Sequence, residues 1–126
     1  MKVLSIVFSA YRATLEEQDD TVLWFTQALT RAGAEIDVLL RSGASNYVVE
    51  AQGPPPLAIG GRAQRNAPDI HGQVRDLADR GASVFVIEED LALYGLDRVS
   101  RLEGARTVPA AGLADLVSQY DAVWHW

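Results

Sequence analysis

Three consecutive carboxylates, Glu88, Glu89 and Asp90, stand directly after the apolar run Val84–Ile87. Acids crowded at the carboxyl end of a strand raise one another's pKa and can supply a general acid or base. The same three side chains at the start of a helix favour the unpaired amides and positive dipole end of its first turn, at about 0.3–1 kcal/mol each. The residue types fit either role. Other polar groups recur at comparable places: Ser9 and Tyr11 follow the first apolar run, and Arg41, Ser42 and Asn46 follow the second. In open α/β sheets the loops after the strands line the ligand crevice. There Arg41 suits a carboxylate or phosphate, which its planar fork can hold. Ser9, Tyr11, Arg41, Ser42, Asn46, Glu88, Glu89 and Asp90 are therefore the candidate ligand-binding residues. Asn46 could equally cap a short helix begun by Tyr47, Val48 and Val49.

Other chemistry is missing. The 126 residues contain no cysteine, which removes disulfides, thiolate nucleophiles, persulfide transfer and Cys-ligated metals together. His71 has no second ligand at metal-binding spacing, so no metal site is expected, and it reads as a surface or interface histidine, with catalysis the lesser alternative. Gly60-Gly61 lacks the spacing of a phosphate-binding loop, and no motif asks for a cofactor. A net charge of −6 with a single lysine argues against a nucleic-acid partner, which needs clustered basic groups. No apolar stretch approaches the length of a membrane span, and no signal-peptide pattern is present. A cytoplasmic location and one domain over 1–126 are expected from this length and apolar content.

The elements that must position these groups alternate. Residues 3–8 (VLSIVF), 35–40 (EIDVLL), 84–87 (VFVI), 106–108 and 121–126 (DAVWHW) read as strands. Between the first two, acids at 16–20 and Arg31-Gly33 mark opposite ends of a helix, with Val22, Phe25, Leu29 and Ala32 as its buried stripe. Leu23 and Trp24 fall off that stripe and predict an exposed pair. Asp69 caps a helix over 69–80 with Ile70, Val74, Leu77 and Ala78 inward. Leu91, Tyr94 and Gly95 close a short helix after the acids, residues 97–103 suggest another helical turn, and Leu113, Leu116, Val117 and Tyr120 form the last buried stripe. Residues 53–68, with four of the five prolines and no periodicity, are expected to be a lid or a partner-binding loop. Such alternation predicts a parallel sheet covered on both faces, a three-layer α/β/α sandwich of flavodoxin-like layout.

The stretch VFVIEEDLALYGL, followed by LADLVSQYDAVWHW, resembles the C-terminal half of proteins in the DsrE/DsrF/DsrH-like (YchN-like) superfamily, nearest the DsrH/TusB type. Glu89, Asp90, Leu91, Gly95 and Leu96 match its acidic turn, and Asp115, Leu116, Val117 and Trp124 or Trp126 match its closing pattern. The resemblance implies five parallel strands in the order 4-3-2-1-5 and a subunit of a cytoplasmic sulfur-relay oligomer. It also implies that the persulfide cysteine of DsrE-type subunits corresponds to Ile87, which cannot carry sulfur. Two functions follow. One is a non-catalytic subunit in a homo- or hetero-oligomer with DsrE-like partners, making contact through Trp24, Tyr94, Trp124 and Trp126. The other is a small-ligand-binding module, or a repurposed enzyme, with its pocket at the strand ends.

Overall fold

In the computed structural model, which describes residues 1–10, 20–50 and 57–126, the apolar runs pair as a parallel sheet. Its strands are β1 (Lys2–Val7), β2 (Glu35–Leu40), β5 (Val84–Ile87), β6 (Arg106–Val108) and β7 (Ala122–His125), in the order β6-β5-β2-β1-β7. This is the expected 4-3-2-1-5 arrangement. Every pairing is parallel; Val3 lies beside Ile36 and Ala122, and Phe85 beside Leu39 and Arg106. Helices α1 (Thr21–Arg31), α2 (Ile70–Asp79), α3 (Glu88–Leu93) and α4 (Leu113–Val117) complete an α/β/α sandwich. No helix among the described residues is long and apolar enough to cross a membrane.

The two faces are covered unequally. Val7, Val38, Leu40, Val84 and Val86 pack against α1, α2, α3 and a 3₁₀ segment, Ser42–Val48. On the other face Leu4, Ile6, Leu39, Phe85 and Ile87 meet mainly α4, through Leu113, Leu116 and Val117, with Tyr120 beside it. Alternation along each strand sends successive side chains to opposite layers, which is why β1 supplies both clusters.

Helix α1 turns further than its apolar spacing predicts. Its buried residues are Val22, Leu23, Thr26 and Gln27, so Leu23 is fully buried rather than exposed, while Trp24 alone of the pair faces solvent. Phe25 and Ala32, expected inside, are exposed. The cause is a polar seam that a hydrophobic count does not register. Asp20, fully buried, caps α1 by accepting from the Val22 and Leu23 amides, and its second oxygen accepts from the Tyr47 hydroxyl at 2.6 Å. The Asp20 amide donates to Gln73 Oε1, Gln73 Nε2 to Gln27 Oε1, and Gln27 Nε2 to Asp76, which also meets Arg31 and Arg80. Buried polar groups need partners, and satisfying Gln27 against α2 fixes the rotation of α1.

Two further expectations are corrected. Asn46 does not begin a helix; it sits inside the 3₁₀ segment, where its Nδ2 donates to the Gly43 carbonyl at 3.0 Å. Residues 97–103 form no helix, and Arg101 instead bridges Val49 in antiparallel fashion. The part of the 53–68 loop among the described residues contains a two-residue hairpin, β3 (Ala58–Ile59) and β4 (Arg62–Ala63). Gly60 and Gly61, both at positive φ, form its turn, the backbone that a two-residue hairpin favours. The Asp69 cap and the inward face of α2 are as expected.

At the amino ends of the strands, Asp37 accepts from the Ser83 amide at 2.7 Å and the Tyr120 hydroxyl at 2.6 Å, and pairs with Lys2 at 3.0 Å. Burial pushes the Tyr120 phenol well above its ordinary value of 10.0, and the hydrogen bond and charge of Asp37 push the same way. A raised folded pKa means that this contribution to stability is present below pH 10.0 and is lost as pH rises through the folded value. In an alkaline absorbance titration Tyr120→Phe should delete a phenol ionisation that lies well above pH 10.0. The same variant should cost roughly 0.5–2 kcal/mol in neutral urea unfolding.

Candidate functional site

Strand β2 leaves the sheet at Leu40, and the next residue keeps one ladder bond, from the Arg41 amide to the Val7 carbonyl at 2.9 Å. The chain then bends through Ser42, whose φ of 50° is the only positive value at a non-glycine position among the described residues. A left-handed L-residue costs roughly 1–2 kcal/mol, so something must hold it. Asp90 does: one oxygen, Oδ2, accepts from Arg41 Nε at 2.6 Å and from the Ser42 amide at 2.8 Å.

Asp90 reaches this corner because β5 ends at Ile87 and the three acids become the first turn of α3. Their side chains then diverge. Glu88 is exposed. Glu89 Oε2 accepts from the Ala110 amide at 2.8 Å and so secures the turn that follows β6. Asp90 alone joins the site. Tyr94, the residue that ends α3, lies four after Asp90 and hence on the same side, and places its hydroxyl 2.9 Å from Ser42 Oγ. It was expected at a subunit contact, and the i, i+4 spacing from Asp90 was the available signal for this second role.

The structure therefore gathers Arg41, Ser42, Asp90 and Tyr94. Asn46 stands one turn further, bonded to Gly43, and Gly43 lies against Ala10, next to Ser9 at the end of β1; a Cβ on Gly43 would sit 3.5 Å from that of Ala10. Tyr11 lies outside the described residues. Ile87 turns to the α4 side and is fully buried in that cluster. His71, in the first turn of α2, accepts at Nε2 from Arg75 at 2.9 Å, while its Nδ1 is buried without a partner among the described residues. Among those residues no three metal-ligating side chains converge.

The corner is electrostatically ordered. Burial alone raises the Asp90 carboxyl, but the bond from Arg41, the Ser42 amide and the Arg41 charge together outweigh it and hold the group below 3.8. Because Nε carries the contact to Asp90, the guanidinium is oriented while its two terminal nitrogens have no partner among the described residues. Such an edge can present two parallel N–H groups to a planar anion, with the Ser42 and Tyr94 hydroxyls close by.

A depressed folded pKa contributes stability above the ordinary value of 3.8 that is lost as pH falls through the folded one. Asp90→Asn should unfold in urea with a deficit of about 1–3 kcal/mol at neutral pH. That deficit should shrink as pH falls below 3.8 and close as pH passes through the lowered folded value. An unchanged deficit at low pH would show that shape, not charge, holds the corner.

No protein-family model matches the chain, and no curated protein matches it. Among solved structures it is similar to the YchN protein from E. coli, over 99% of this chain and 98% of that one, at 14% identity and a TM-score of 0.77. At that identity the likeness concerns the backbone, and it spans both chains almost end to end: the protein has the YchN fold.

Proposed function

We infer that this chain is a non-catalytic, DsrH/TusB-like subunit of a cytoplasmic sulfur-relay-type oligomer, supporting sulfur transfer that cysteine-bearing, DsrE-like partners carry out. The observation that carries the reading is the end of β5. The position that the family resemblance gives to the sulfur-bearing residue is Ile87, fully buried, in a chain without cysteine. A YchN-like backbone with no thiol can contribute shape and contacts to such an assembly, but no persulfide. The exposed aromatics Trp24, Trp126 and Tyr94, with the half-buried Trp124, supply contact surface. Expressed with DsrE-like proteins, the tagged chain should co-purify with a cysteine-bearing subunit in fixed ratio, read by native mass spectrometry. A chain that stays partner-free in their presence overturns the reading.

A second reading rests on one observation: the Arg41 guanidinium is held by its Nε and keeps its terminal edge unpartnered among the described residues. In that reading the strand-end corner binds a small carboxylate or phosphate. Inorganic phosphate and acetate, screened by thermal shift, should raise the melting temperature of the wild type; a hundredfold excess over Kd corresponds to about 2.7 kcal/mol. Arg41→Ala should abolish that response. No shift in the wild type removes this alternative.

A further inference from the structure

The two edges of the sheet are built differently. Edge strand β6 is three residues long, carries the exposed Arg106, whose guanidinium lies 5.9 Å from the Phe85 ring centroid, and is followed at once by Pro109. Charges, proline and short length are the usual guards against edge-to-edge pairing. Edge strand β7, Ala122–His125, has none of the first two: its sequence is Ala-Val-Trp-His and Trp126 follows.

Its hydrogen bonds define what remains open. Trp126 donates to the Ile6 carbonyl at 3.0 Å and accepts from the Phe8 amide at 3.2 Å, so both of its backbone groups face β1. In a parallel ladder alternate residues bond to the same neighbour. Trp124 therefore also faces β1, and the N–H and C=O of Val123 and His125 point away from the sheet.

We propose that β7 pairs antiparallel, across a two-fold axis at Trp124, with β7 of a second copy of this chain, joining two five-stranded sheets into one. The register is self-complementary. Val123 stands opposite the second copy's outward-facing His125, and His125 opposite its Val123, so the open donors and acceptors meet. On the α1 face Trp124 meets its symmetry mate, and the small Ala122 leaves room for Trp126. No charged side chain lies on the strand, so pairing does not set carboxylates against each other despite the net charge of −6. Asp121, the nearest acid in sequence, already accepts from the Lys2 amide at 2.7 Å.

Four new hydrogen bonds contribute little net stability, so the flanking surfaces must drive association. They are apolar on both sides. On the α1 side Phe25 and Trp126 are 38% and 36% exposed and form a ring cluster with Trp124. On the α4 side Phe8 is 44% exposed, with its ring 5.8 Å from that of His125. Between them an open groove of about 450 Å³ runs along the edge, lined by Phe25, Val123, Trp124, His125 and Trp126. Trp24 stands about 100° round α1 from Phe25 and takes no part.

This proposal rests on reading the β7 face as a subunit contact and adds the partner and the register. Sedimentation equilibrium of the chain purified alone should give at least twice the 13.7 kDa chain mass. Val123→Lys places a charge on the open edge, and Val123→Pro deletes an N–H that the proposed ladder uses but the subunit's own sheet does not. Each should weaken association tenfold or more while circular dichroism stays native, and Thr107→Lys on β6 should change nothing. A wild type sedimenting as a monomer, or folded Val123 variants that associate undiminished, overturns the proposal. The co-purification test separates the two ideas. A chain monomeric by itself that still captures cysteine-bearing partners keeps the subunit reading and loses this one, and a Val123-dependent dimer that captures none does the reverse.

Discussion

One carboxylate oxygen, Oδ2 of Asp90, governs how the chain leaves the sheet. It neutralises Arg41, which is only partly exposed, and holds the backbone of Ser42 in a conformation that serine rarely adopts. Removing either donor would leave a buried charge or a strained bend without support. From that bend the chain runs into the 3₁₀ segment, which delivers the Tyr47 hydroxyl to Asp20. Asp20 in turn caps α1 and, through its amide, reaches Gln73 on α2. The strand-end corner and the packing of two helices are thus linked through the 3₁₀ segment by polar contacts, of which Asp90–Ser42, Tyr47–Asp20 and Asp20–Gln73 join segments distant in sequence. Buried networks of this kind favour one arrangement because partial satisfaction is costly.

The sheet was legible because its evidence is local. Unbroken β-branched runs such as Val84–Ile87 and alternation in residues 121–126 mark strands by type and period, and short αβ connections leave few ways to order them. Helix α2 was legible for the same reason, with Asp69 at one end and Gly81 at the other. The face of α1 was not. Its apolar spacing pointed to Phe25 and Ala32, whereas the structure buries Thr26, whose hydroxyl donates to the Val22 carbonyl within the helix, and Gln27, which Gln73 and Asp76 on α2 satisfy. Hydrophobic periodicity cannot register a pairing between residues 46 or 49 positions apart. The Gly60-Gly61 hairpin carried a local signal, two adjacent residues free to take positive φ, obscured by the surrounding prolines.

The candidate site divides along the same line. Arg41, Ser42 and Asp90 could be nominated from their positions after strands, since the fold brings strand ends together. The division of labour within the acidic triplet could not: side chains one residue apart on a helix point about 100° apart, and only the packed neighbours show that Glu89 serves the β6 turn while Asp90 serves β2. Tyr94 had a readable spacing from Asp90, but its partner, Ser42, lies 52 residues away.

The placement of Ile87 constrains where this molecule can act. Strand alternation sends it toward α4, into a cluster with Leu4, Leu39 and Leu116, so Ile87 itself offers neither a nucleophile nor an accessible side chain. Among the described residues, two chemically distinct exposed surfaces lie apart: the corner between β2 and α3, and the outer edge at β7. In the strand order β6-β5-β2-β1-β7 these are separated by β1, with no residue common to Arg41-Ser42-Asp90-Tyr94 and the aromatic edge. The corner is polar, ordered by a salt bridge and sensitive to acid. The edge is mainly aromatic and aliphatic, with His125 on its α4 side. The strand ends and the edges of a parallel sheet are different surfaces, so substitutions at Arg41 and at Val123 perturb different parts of it.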